Sequence, residues 1–340
     1  MTSPKRINIL AQRDINELYE LPKFTVEEKH WYFELSNNEQ ELLVMNASIA
    51  TKVDAILQLG YFKAKKQFFV FQLYEVKTDV DFLLNKYFDK ANIKKTSIAR
   101  ESRRQNQKKI LKILDYKLFS KQYHRLSLLT KANELGRLSA NPEFIFREIL
   151  DFLHNNKITL PGYTTLQDII SEALLTEQQR INKILDEQLK SKEKETILDL
   201  LQQRDHLYSV TSLKKQPKNF KPKAIYKEID YYKKYEPLFK IAKRVLPEVK
   251  ISNNTIIYNA NLVEHYTVQS LDRLNERQTC LWLLCFIYQR CQRMLDNLAT
   301  MFIYTANKYE NDVIDKSKEL ILVDTIDKKE QDDNIAKLLK

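Results

Sequence analysis

Apolar residues recur along most of this chain at intervals of three and four, the spacing of one helix face, and seldom alternate as a half-buried strand requires. Leu10, Ile15, Leu18 and Leu21 define a helix over Ile9–Leu21 that Pro22 stops. Thr25 is placed to cap Val26–Phe33, with Glu27 and Glu28 in the first turn, where the positive helix end favours acids. Ser36, with Glu39 three residues on, reads as a capping box for Asn37–Met45. Ser48 precedes Ile49–Phe62, whose Val53, Ile56, Leu57 and Gly60 share a face. Gln67–Val76 is the one stretch rich in β-formers, and it fits a short strand or a buried helix equally.

The helical pattern resumes over Asp79–Phe88, Ser97–Leu114, Lys121–Leu135 and Asn141–His154. Leu160, Pro161 and Gly162 break it. Thr164 or Thr165 then caps a helix to about Leu189, paired across Lys190–Lys194 with Glu195–Arg204. Beyond Leu207–Pro222 come Lys223–Val245, a loop at Pro247–Asn254, a helix near Asn261–Leu274, a long apolar helix Glu276–Tyr304 and a polar tail expected to fray. The pattern predicts an all-α, multi-lobed bundle with at most a short strand near 67–76. Its expected parts are a first helical lobe at 1–115, a second lobe ending in a helical hairpin at 116–206, a basic linker at 207–222 and a helical scaffold at 223–340.

Composition narrows the chemistry. Only three glycines, Gly60, Gly136 and Gly162, occur in 340 residues, against about 24 at average usage. Phosphate-cradling loops need at least two glycines close together, so dinucleotide-binding folds, P-loop ATPases and kinases are excluded. Cys280, Cys285 and Cys291 lie in one apolar segment without the spacing of a zinc site or disulfide framework. They read as inert core thiols in a reducing, cytoplasmic setting. Met1–Arg6 has basic residues but no following apolar block, unlike a secretory signal. The longest apolar run, Cys280–Tyr288, is nine residues, far short of a bilayer span of roughly 20, so no membrane partner is expected.

Candidate catalytic groups do not assemble into a site. Asp79 and Asp81 read as a solvated helix start, His124 and His154 as locally bonded rings, and no serine or cysteine has a nearby histidine to activate it. No metal, cofactor or catalytic residue is expected.

Charge gives the positive signal. The chain carries 56 Lys+Arg and 45 Asp+Glu, a net +11, concentrated at 51–150 and 201–250. In Ser97–Leu114, Arg100, Arg104, Lys108 and Lys112 recur every fourth residue and form one ridge. Gln105 and Lys109 flank it, while Arg103 and Gln107 border the apolar side of Ile110, Leu111, Ile113 and Leu114. Only Glu101 is available to neutralise it. Such a ridge suits phosphates, and Arg beside Gln105, Asn106 and Gln107 supplies groups that read base edges. Lys52, Lys63, Lys65, Lys66 and Arg125 are further candidates for DNA contact. A second basic block interleaves Lys214, Lys215, Lys218, Lys221, Lys223, Lys227, Lys233 and Lys234 with Phe220, Tyr226, Tyr231, Tyr232 and Tyr235. It fits phosphate contact with base stacking, or tyrosines capping a core.

Several segments, in order, resemble the N-terminal region of the Tn-three family of replicative transposases. They are Leu10–Pro22 with Tyr32 and Phe33, Ile56–Lys63 (Ile-Leu-Gln-Leu-Gly-Tyr-Phe-Lys), Ile158–Pro161, Leu200–Asp205, Leu213–Pro217, Leu238–Arg244 and the helices around Arg277. The resemblance implies helical, helix-turn-helix-like lobes that grip double-stranded DNA at transposon terminal inverted repeats. It implies self-association or association with an intact transposase, and a location on the bacterial nucleoid. The family's acidic catalytic triad lies downstream of such a region, so a non-catalytic end-recognition role is expected. Lys52 and Lys63 stand where the family often has arginine, which removes bidentate base reading there. The competing expectation is a helical scaffold whose basic faces bind RNA or an acidic protein.

Overall fold

The computed structural model describes residues 6–45, 47–93, 97–204, 207–215, 217 and 222–338. Met1–Lys5 and the Lys218, Phe220 and Lys221 of the basic block lie outside the described residues. Among the described residues the fold is helical apart from an isolated parallel bridge between Lys117 and Ile158 and one antiparallel ladder of two-residue strands, β1 (Gln203–Arg204) and β2 (Leu207–Tyr208). Its contacts divide the chain into two compact units, 1–180 and 181–340. The division falls within the helix Tyr163–Gln188.

The first unit begins with α1 (Gln12–Tyr19) and α2 (Val26–Tyr32), the latter held by a complete capping box of Thr25 and Glu28. Ser36 and Glu39 also meet, the Ser36 N–H donating to Glu39 Oε2 at 2.8 Å. They start a 3-10 turn over Glu39–Leu42, not the α-helix expected across Asn37–Met45. α3 (Ile49–Lys65), capped by Ser48, is buried at every position from Val53 to Phe62. It is therefore a central rod and not a one-faced helix. Gly60 is required there, since a Cβ would lie 2.3 Å from the Phe33 ring.

Gln67–Val76 forms neither a strand nor a helix. It wraps α3 as irregular chain, burying Phe69, Phe71, Leu73 and Val76 while the Gln58 amide donates to the Phe69 carbonyl. α4 (Lys77–Tyr87) follows. Asp79 is not a solvated helix start but is buried, accepting the Tyr61 hydroxyl at 2.6 Å and pairing with Lys29 at 2.8 Å. α5 (Arg100–Leu114) closes this core by packing on α3.

A second core of the same unit joins Ile9 and Leu10 to α6 (Lys121–Leu138), α7 (Pro142–Asn155) and the first part of α8 (Tyr163–Gln188). Asn141 caps α7, with Pro142 at the first helical position, where a missing N–H costs nothing. The His124 ring bonds locally, accepting the Ser120 N–H, whereas the His154 ring bonds the Tyr116 hydroxyl, distant in sequence.

The second unit contains the end of α8, then α9 (Ser191–Leu198), α10 (Ser209–Leu213), α11 (Pro222–Val249), α12 (Asn253–His265), α13 (Val268–Asp272) and α14 (Glu276–Leu338). α14 lies against α11 and α12. Leu207–Leu213, read as the start of a linker, instead carries β2 and α10, with Val210 and Leu213 fully buried. α11 runs through Pro237 and Pro247. An interior proline costs about 3 kcal/mol, and burial of Leu238, Phe239, Ala242, Val245, Leu246 and Val249 outweighs it at about 1.5–3 kcal/mol for each large side chain. The helix expected near Asn261–Leu274 is two, separated where Thr267 caps α13.

Arg290 and Glu228, both buried, pair at 2.9 Å, and the guanidinium also donates to the Leu213 and Lys215 carbonyls. The three cysteines are free and buried. Burial pushes the thiols up, Cys280 to about 11 and Cys285 and Cys291 to about 12. Among the described residues no helix is long and apolar enough to cross a membrane.

Candidate nucleic-acid interface

The amphipathic division of α5 sets up the site. Its inner face is anchored by Ile110, fully buried, and by a polar clamp on α3. Arg103 donates to Asp54 Oδ1 at 3.0 Å and to the Phe71 carbonyl at 2.8 Å, with its guanidinium 5.2 Å from the Phe71 ring centre. Asn106, also buried, donates to Asp54 Oδ2 and to the Thr51 carbonyl, both at 3.2 Å. Burial raises the Asp54 carboxyl, and Arg103 and Asn106 pull it back down. Asp115, in the left-handed region at φ 56, ends the helix, and the Tyr116 N–H returns to the Leu111 carbonyl. These bonds fix how α5 is rotated about its axis.

The outer face follows from that rotation. Arg100, Arg104, Lys108, Lys109 and Lys112 are all exposed, and none of these side chains has a hydrogen bond or an ion pair among the described residues. At 1.5 Å of rise per residue the ridge from Arg100 to Lys112 is about 18 Å long. Glu101, the one acid on this face, accepts from Gln105 at 2.8 Å and neutralises none of the cations. Gln107 is half-buried without a bonding partner among the described residues. A cavity of about 410 Å³ opens beside the helix start, its lining including Ser48, Thr51, Asn92, Ser97 and Ser102.

Other cations grouped with the ridge by sequence are spent inside the fold. Arg103 is part of the clamp, and Asn106, read as a base-contacting amide, is sealed beneath the helix. Lys52 donates to the Leu43 carbonyl at 2.7 Å. Lys63 is held by Glu39 at 2.7 Å and the Glu34 carbonyl at 2.8 Å. Lys65 caps the Glu17 carbonyl. Lys66 donates to the Lys63 carbonyl at 2.8 Å and sits 5.9 Å from the Tyr116 ring centre, and burial lowers its pKa. Arg125 pairs with Glu172 at 2.5 Å. Lys52, Lys63, Lys65 and Lys66 share one physical reason: α3 is surrounded, so the long side chains at its ends fold back onto nearby carbonyls that lack helical partners.

In the second unit Lys214 donates to the Tyr266 carbonyl at 2.8 Å, and its pKa is lowered by burial. Lys215, Lys223, Lys227, Lys233 and Lys234 are exposed. Tyr235 is buried and Tyr231 and Tyr232 pack against the core, which leaves Tyr226 as the exposed aromatic of α11. Sequence reasoning missed the buried charges Asp54, Asp79, Glu228 and Arg290. A carboxylate inside the apolar run Val53–Leu57 was the available signal for Asp54, because a buried acid needs a partner.

Residues 9–173 match the family model of a domain of unknown function, DUF4158. The DUF4158 match takes in α1 to α7, the start of α8 and the whole α5 ridge. Comparison with curated proteins found no match for the chain.

Proposed function

We propose that the chain binds duplex DNA through the outer face of α5, and that it holds transposon terminal inverted repeats without itself cutting them. The observation that supports this reading is the row of five exposed, unneutralised cations on a helix whose inner face is locked. A helix of about 10–12 Å diameter fits a major groove about 12 Å wide. Arg100 and Arg104 are suited to guanine edges, and the three lysines to phosphates. Gln105 reaches an adenine edge once it leaves Glu101. The resemblance to Tn-three transposase N-termini supports the choice of transposon ends as the duplex. An intact transposase competing for those ends, or a second copy of this chain, is the expected protein partner.

Fluorescence anisotropy with a labelled inverted-repeat duplex, a scrambled duplex and an RNA duplex tests the reading. It predicts tightest binding to the inverted repeat and a salt slope no steeper than about −2.7 from three lysine–phosphate contacts on this face. Equal, weak binding to all three would reduce the face to nonspecific charge. Preference for the RNA duplex would favour the scaffold reading.

A further inference from the structure

α14 leaves its core after Met301. From Phe302 to Gln331 every residue except Thr305 is exposed, yet this stretch is not polar all round. Phe302, Ala306, Tyr309, Val313, Leu320 and Val323 follow one another at alternating steps of four and three, with Lys316 taking the place between Val313 and Leu320. That is the a/d repeat of a coiled-coil strand, three heptads long. The five larger apolar side chains of this seam are each more than half exposed. The hydrogen bonds of Thr305, Ser317 and Thr325 go to carbonyls one turn back, and Lys318 pairs with Asp315 on the same helix. Helices draw most of their stability from a packed apolar face, and this face is bare.

The charges beside the seam specify what covers it. Glu310, Asp312, Glu319 and Asp324 occupy the flanking e and g positions, and no lysine or arginine does, while Lys308 and Lys318 lie on the outer side. Pairing of two copies in parallel sets Lys316 against Lys316 and Glu319 beside Asp324. Antiparallel pairing sets Asp312 against Glu319. Both arrangements oppose like charges, which e and g positions use to reject a partner. A helix with an apolar seam edged by lysine or arginine satisfies all four carboxylates, and an acidic residue opposite Lys316 completes it. Covering both seams removes on the order of 1,200 Å² from solvent, the size at which specific interfaces begin.

We propose that Phe302–Val323 of α14 is a docking strand for a partner protein helix whose a/d seam is apolar and whose edges are basic. The proposal stands independently of DNA binding by α5. The probe is a labelled four-heptad peptide with isoleucine and leucine at a and d and lysine at e and g. A second peptide is identical except for glutamate at e and g. Full-length chain and the Val313→Gln/Leu320→Gln variant, both substitutions lying outside the cores, are titrated into each, and sedimentation velocity follows each protein alone. The expected result is a chain whose self-association, if any, is the same in the variant and that binds the lysine-edged peptide at least tenfold more tightly than the glutamate-edged one, a preference lost in the variant. Three outcomes overturn it: equal binding of both peptides, unchanged binding by the variant, or self-association that the variant abolishes. Adsorption to anionic phosphatidylglycerol vesicles without discrimination between the peptides would assign the seam to a membrane surface and would likewise overturn it.

Discussion

α3 and α5 lie side by side in one core and both carry several cations, but the fates of those cations are opposite. On α3 and its C-cap, Lys52, Lys63, Lys65 and Lys66 each donate to a backbone carbonyl or a carboxylate of the same unit. On α5, Arg103 alone turns inward, and the five cations on the other side have no partner among the described residues. Because α3 is enclosed, charge at its ends becomes mortar for its surroundings. Because α5 covers the core from outside, charge on its far side stays available to a ligand. Position in the packing, and not residue type or local charge density, separates the cations held inside the fold from those left exposed.

The contrast is broken most severely by removing the residue that orients α5. Arg103→Ala strands the fully buried Asp54 carboxylate without its guanidinium, and losing one member of a buried pair costs about 3–5 kcal/mol. Urea unfolding of the full chain should show that loss in the first unit. Asp54→Asn combined with Arg103→Met should recover much of it, since no uncompensated charge remains. Next in size is Gly60→Ala. The added methyl meets the Phe33 ring, and overpacking of this kind costs typically 1–3 kcal/mol, again read from the unfolding midpoint.

A smaller effect probes the second unit through its thiols. Their folded pKa values, about 11 and 12, lie above the unfolded value of about 8.5. Protonated thiols therefore favour the fold. Their contribution is full below about pH 8.5 and is lost as pH rises toward 11–12. Native protein at pH 8 should react with none of the three in a thiol-disulfide exchange assay, and denatured protein with all three. Rapid native labelling would contradict the buried placement.

The sequence carried the helices well at Thr25 and Ser48, where caps and periodicity agreed, while the capping box at Ser36 and Glu39 started only a 3-10 turn. It erred where tertiary burial overrode local signals. Pro247 reads as a helix stop, yet Val245, Leu246 and Val249 hold the chain helical across it. Gln67–Val76 has β-formers because four of its side chains plug the first core, and no strand among the described residues pairs with it. The α5 ridge was legible because an every-fourth-residue row of cations needs only one helix to be recognised. The occupation of Lys52, Lys63 and Lys65 was not legible, since their partners at Leu43, Glu39 and Glu17 are set by how other helices close around α3. Arg103 marks the boundary between these cases. It lies in the same basic run as Arg104, and a single 100° step around the axis moves it from solvent to Asp54.

The comparison is tested most directly by the salt dependence of duplex binding in two double variants. Lys108→Ala/Lys112→Ala removes two cations from the free face, and its slope of log affinity against log salt should be shallower by about 1.8, at about 0.9 per phosphate. Stability should stay within about 0.5 kcal/mol, as for exposed sites generally. Lys52→Ala/Lys65→Ala removes two cations from the enclosed helix and should leave the slope unchanged. An unaltered slope in the first variant, or an equal drop in both, would contradict the assignment of the outer face of α5 as the surface that meets DNA.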